Sequence, residues 1–131
     1  MAAVNLKKVR GPDQTPAVLD EAHLARMTLG DRQLERDVLQ IFVRQAAMML
    51  ERIATAEPPL AAAAAHTLVG SARGIGAWRV AHAAERLEQA CMGASRALEC
   101  DVAVEELRTA ALEASAAIGT RLGGVLRDHQ L

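Results

Sequence analysis

Residues 58–77 read PPLAAAAAHTLVGSARGIGA, and the way this stretch winds decides the fold. Each proline disfavours helix in the residue before it yet fits the first turn of a helix that follows. Gly74-Ile75-Gly76 is a natural place for that helix to stop and reverse. With about 3.6 residues per turn, Leu60, Ala61, Ala64, Leu68, Ser71 and Ile75 gather on one side, and His66 falls nearly opposite Leu68 and Ile75. The spacing predicts an amphipathic helix that turns an imidazole toward water. Ala62 and Ala63 stand one turn before His66, Val69 and Gly70 one turn after it, and Arg73 two turns after it. These neighbours are mostly small, so a partner could come close, with Ala62 and Ala63 as candidate docking residues. Glycine inside a helix costs roughly 1 kcal/mol relative to alanine. Its benefit at position 70 is clearance, because a nucleophilic imidazole needs open approach along its ring nitrogen. The plainer alternative is a solvated histidine with Gly70 marking close packing against another helix.

Working outward, Glu57-Pro58-Pro59 ends a preceding helix in which Leu34, Val38, Ile41, Phe42, Gln45, Met48, Met49 and Ile53 recur at intervals of three and four. Thr28 or Asp31 can cap it. A short first helix starts at Thr15-Pro16, with Asp20 and Glu21 near its positive end, and stops near Gly30. Beyond Gly76 a further helix places Val80, Ala83, Ala84, Leu87, Ala90 and Cys91 inward and fades through Met92-Gly93-Ala94-Ser95. Trp78 is expected just past the break and at least partly packed. Asp101 is an N-cap candidate for a last helix with Leu107, Ala110, Ala111, Ala114, Ala117, Ile118 and Leu122 inward, ending at Gly123-Gly124. The reading is an all-α, antiparallel up-and-down four-helix bundle with a short additional N-terminal helix. It divides into a flexible leader over 1–16, a bundle domain over 17–124 and a C-terminal tail over 125–131.

Composition agrees with helices. The chain has 131 residues, enough for one domain, and 51% hydrophobic against 24% charged residues is a globular balance. Phe42 and Trp78 are its whole aromatic complement, so the core must be built from Ala, Leu, Val, Ile and Met. A net charge of −1 gives no basic stripe of the kind that nucleic acid calls for. No run approaches the roughly 18 apolar residues that span a membrane, and the first ten lack a signal-peptide segment, so a cytoplasmic location is expected. Cys91 and Cys100 lack metal-ligand spacing and read as reduced packing cysteines.

Residues 65–77, Ala-His-Thr-Leu-Val-Gly-Ser-Ala-Arg-Gly-Ile-Gly-Ala, closely resemble the signature of the histidine-containing phosphotransfer domain, His-x-x-Lys-Gly-Ser-Ala before a small-residue turn. The likeness extends through Leu19–Gly30, Asp31–Ala47 and Trp78–Glu88, and so covers most of the chain from about residue 17 to 120. The resemblance implies that His66 is a phosphoacceptor, carrying a phosphoryl group between the aspartates of two receiver domains in a bacterial phosphorelay. It implies a carrier rather than a stand-alone enzyme. The partners would be response-regulator receiver domains and a hybrid histidine kinase, met by a monomer. The domain would need no cofactor of its own, with Mg²⁺ on the receiver. One position departs from the pattern: Val69 stands where the family usually has lysine beside the phosphoryl group, where a cation favours the anionic product. Arg73, within about 20° of His66 around the axis but roughly 10 Å along it, is the substitute cation.

Two rival readings follow. In one, Val69 leaves a binding-only adaptor that docks receivers without transferring. In the other, the chain is an unrelated helical interaction protein and His66 has no chemistry. A di-iron bundle site is disfavoured, because Asp20-x-x-His23 has no second copy. His82 and His129 read as surface residues. Ser71 is five residues from His66 and about 140° away around the helix, which rules out a local nucleophile–base pair. With no Gly-rich phosphate loop present, the phosphoryl donor must be another protein.

Overall fold

The structure, a computed structural model, describes residues 17–93 and 97–130. The leader expected over 1–16 lies outside the described residues, but the first helix does not start at Thr15-Pro16 as expected: residues 17–20 are non-helical and the helix begins at Glu21 behind its Asp20 cap. Those described fold into five helices and no strand: α1 (Glu21–Met27), α2 (Arg32–Thr55), α3 (Pro58–Ile75), α4 (Trp78–Met92) and α5 (Ala97–Gln130). The last four close a ring, with α3 packed on α2 and α4, and α5 packed on α4 and α2. This is the up-and-down bundle expected, with α1 laid against α3.

Local chemistry sets the boundaries. The Asp20 side chain caps α1 by accepting from the His23 backbone N–H, and Asp31 caps α2 by accepting from that of Leu34. Between them Leu29 and Gly30 take left-handed geometry. Pro58 and Pro59 open α3, and Gly76 closes it with φ 84°. A side chain at Gly76 would be strained twice over, since an added Cβ would lie 3.0 Å from both the Cβ and the carbonyl oxygen of Asp20. That closeness exists because the Asp20 N–H donates to the Gly76 carbonyl at 2.9 Å, stitching α1 to the α3–α4 turn.

Among the described residues, the largest fully buried side chains are Leu24, Leu39, Leu68, Leu87, Leu107, Ile118 and Val80. Each contributes roughly 1.5–3 kcal/mol by leaving water. Ala46, Ala65, Ala72, Ala84 and Ala114 fill the layers between them, so the helices approach closely with little volume in the core.

Three further expectations need correction. The buried arc of α3 is centred on Ala61, Ala65, Leu68 and Ala72 and reaches Ala62 and Val69, a rotation of roughly 60° from the expected stripe. Leu60 is consequently 66% exposed, whereas Ala62 and Val69, expected to face outward, are 5% and 6% exposed. The cause is that α3 has neighbours on two sides, and α4 covers a strip that periodicity assigned to solvent. On α2, Ile41 and Met48 lie outside while Leu39 and Ala46 take their place in the core. The last helix begins at Ala97, not Asp101, and runs through Gly123 and Gly124 to Gln130, so the backbone expected as a tail is helical. Glycine weakens a helix without obliging it to stop, and the helix runs through these two.

Candidate functional site

His66 stands at the outer rim of the α3–α4 interface. Its side chain is 74% exposed, and its Nδ1 lies 2.9 Å from the Glu88 carboxylate on α4. An ionised carboxylate only accepts, so the shared proton belongs to Nδ1, and the tautomer that fits this contact is the one with Nδ1–H. The lone pair is thereby placed on Nε2, at the far side of the ring from Glu88. Glu88 was not singled out from sequence. The signal for it was the turn: the 22 positions separating the two residues fold back symmetrically about Ala77, which sits at the reversal, and antiparallel helices pair residues equidistant from their turn.

Arg73, the expected substitute cation, does not reach along α3 to His66. It crosses to α4 instead, donating from Nη2 to Glu85 at 3.0 Å. Glu85 precedes Glu88 by three positions, so the two carboxylates share one edge of α4 and bind Arg73 and His66 of α3 as successive rungs. Both partners of the Arg73–Glu85 rung are about half exposed, which makes it weak and exchangeable, worth roughly 0–1 kcal/mol.

Gly70 is exposed, and an added Cβ there would meet nothing within 4 Å. The alternative of close packing against another helix therefore does not apply to this glycine, whose open face lies beside His66. Ala63 is also exposed, whereas Ala62 and Val69 support the site from beneath. Val69 is in the core cluster, so a lysine there would have to thread its stem out past α4. On the side of His66 away from Glu88, a cavity of about 480 Å³ between α2 and α3 is bounded by Leu60, Ala63, Thr67, Met49 and Arg52.

The far end of α3 is held by a clasp. Trp78 donates from Nε1 to Asp20 at 2.9 Å, His23 hydrogen-bonds the Arg73 carbonyl through Nε2 at 2.9 Å, and the His23 and Trp78 rings lie 5.0 Å apart, tilted by 59°. The Trp78 indole first, and the His23 backbone N–H second, hold the Asp20 carboxyl below its ordinary range. Asp20 and His23 are thus engaged in a cap and a clasp. Among the described residues no group of three His, Cys, Asp or Glu side chains could hold a metal ion. Ser71 is half-buried and His82 exposed. Cys91 and Cys100 are free thiols. No described helix is long and apolar enough to cross a membrane.

The Hpt domain family model matches residues 37–118, the span that holds His66, Glu88, the whole of α3 and α4 and most of α2 and α5. The fold is similar to that of the histidine phosphotransferase ShpA from Caulobacter crescentus, at 27% identity and a TM-score of 0.70, covering 88% of this chain and 100% of that one. It is also similar to a histidine-containing phosphotransfer protein from rice, described as putative, at 21% identity and a TM-score of 0.72, covering 82% of this chain and 81% of that one. The second likeness bears on the fold alone. No curated protein matches the sequence.

Proposed function

The chain belongs to the Hpt domain family, and from that premise we propose that His66 is its phosphoacceptor, charged by the aspartyl phosphate of one receiver domain and discharged to the aspartate of another. A phosphorelay role in histidine phosphotransfer comes with the family. The single observation that carries it is an exposed imidazole with Nδ1 occupied by Glu88 and Nε2 left to face a partner.

In this mechanism Nε2 attacks the phosphorus of the receiver's aspartyl phosphate in line. The N–P bond forms as the P–O bond to the aspartate breaks, and the carboxylate keeps the electron pair. Positive charge grows on the ring, and Glu88 offsets it through the proton on Nδ1. The receiver supplies its aspartate and bound Mg²⁺, while the bundle needs no cofactor and acts as a carrier rather than an enzyme in its own right. Gly70 and Ala63 let the receiver surface close over the ring, and the cavity beside them accepts apolar side chains. Ala62 and Val69 act only from below. Arg73 can leave its exposed rung with Glu85 and turn toward the phosphoryl group once that charge arrives. We place the protein in the cytoplasm as a monomer, where receivers and a hybrid kinase meet it.

The test is incubation with a radiolabelled phosphorylated receiver. Wild-type protein should acquire an acid-labile, alkali-persistent label, and His66→Gln should acquire none. Equal labelling of the two would reject the assignment. The buried valine at 69 supports one competitor, an adaptor that docks receivers without transfer; wild type that binds receivers and never becomes labelled would establish it.

A further inference from the structure

Away from His66, the last turn of α4 and the first turn of α5 bring two thiols together. The Cys100 Sγ lies 3.8 Å from the Cys91 Sγ and 3.6 Å from the Ala90 carbonyl oxygen. Both side chains are part-buried. They line one solvent-reached cavity of about 500 Å³, with Pro58, Asp101 and Arg108 on its walls. A disulfide needs its sulfurs about 2.05 Å apart. The remaining approach lies within the reach of side-chain rotation at two helix ends, where the backbone yields most easily.

We propose that Cys91 and Cys100 are a modification site, closing to an intramolecular disulfide by exchange with a low-molecular-weight disulfide such as oxidised glutathione. The exchange balances in two steps. First the Cys100 sulfur, as thiolate, attacks one sulfur of the small disulfide. A Cys100–SR bond forms, the RS–SR bond breaks, and RS⁻ leaves to take up a proton. Then Cys91 loses its proton to solvent and attacks the Cys100 sulfur, forming the Cys91–Cys100 bond and expelling the second RS⁻ as thiol. The two cysteines are oxidised, the small disulfide is reduced to two thiols, and no net proton is consumed. The order of attack follows from the pocket. Burial, reinforced by the neighbouring Cys100 thiol, pushes the Cys91 thiol up to about 11, so Cys91 keeps its proton at neutral pH and resolves rather than initiates. The bond joins α4 to α5 across their short connection, a small loop whose closure restricts the unfolded chain.

The experiment treats the full-length chain with oxidised glutathione, then measures intact mass, reaction with N-ethylmaleimide under denaturing conditions, and melting temperature. The expected product has lost two hydrogens, binds no maleimide, carries no glutathione, stays monomeric and melts roughly 5 °C or more higher. Cys91→Ser should stop at one glutathione adduct on Cys100, with its circular dichroism unchanged. A wild type that leaves both thiols open to maleimide, retains two glutathione adducts, or links into covalent dimers would overturn the proposal.

Discussion

The contact between Glu88 and His66 favours the proton on Nδ1, so under the proposed role removing the carboxylate is expected to slow transfer without disturbing the core. Glu88→Ala is expected to slow phosphoryl transfer about tenfold, equivalent to roughly 1.4 kcal/mol of transition-state stabilisation, while the melting temperature stays within a degree or two of wild type. Glu88→Gln should fall between, because its amide oxygen can still accept from Nδ1 but carries no charge. Stopped-time labelling by a phosphorylated receiver measures both, and equal rates in all three proteins would remove Glu88 from the mechanism. Position 69 behaves differently from a surface site. Val69 is 6% exposed, so Val69→Lys should cost about 1–2 kcal/mol in urea unfolding as the ammonium drags its stem outward. Gly70→Leu should stabilise α3, leucine being the better helix former, and block receiver approach. The exposure of His66 and Gly70 could be read from the sequence because both lie on the side of α3 far from its buried arc, whereas that of Ala62 and Val69 at the edge of the arc could not, because a neighbouring helix decides their burial. Glu88 could not, since its role depends on the register between two helices.

Among elements, the α3–α4 turn combines left-handed backbone at Gly76 with the contacts that dock α1. Gly76→Ala must hold an alanine at φ 84° with its Cβ 3.0 Å from Asp20, and a loss of about 2 kcal/mol or more is expected in thermal or urea unfolding. The clasp is also pH-dependent. The Trp78 indole and the His23 backbone hold the Asp20 carboxyl below its ordinary range, so its stabilising contribution is present above the unfolded value, near pH 4, and is lost as pH falls through the lower folded value. Asp20→Asn should therefore be less stable than wild type at neutral pH and converge on it in acid. A constant gap across pH 2–7 would mean that the carboxyl does not titrate through folding. The breaks at Pro58-Pro59 and Gly74-Ile75-Gly76 were legible because those residues alter backbone geometry wherever they occur. The end of the last helix was not, because Gly123 and Gly124 allow a stop without requiring one.

Across the whole molecule, α5 is tied to the first two helices by Arg121, which hydrogen-bonds Glu35 of α2 and lies 3.2 Å from Glu21 of α1. The hydrogen bond to Glu35 outweighs burial and raises the guanidinium above its already high ordinary value, so Arg121 stays charged at any pH that the fold survives. Arg121→Met should lower stability by about 1 kcal/mol, less in high salt, since the network is only partly screened from water. An effect that did not weaken with salt would assign the loss to packing. The bundle was readable from composition, because an Ala- and Leu-rich chain with two aromatic residues has little other than helix packing with which to build a core. The ring closure of α5 on α2 came with reading a four-helix bundle, since short connections by themselves specify only consecutive neighbours. The same scarcity of aromatics has an optical consequence. Trp78 is the one tryptophan and the chain has no tyrosine, so near-ultraviolet emission reports from a single point, the indole that α1 holds through Asp20. If α1 peels away before the bundle melts, emission will shift to the red while helical ellipticity barely changes, and two superimposable unfolding curves would show instead that the clasp and the bundle come apart together.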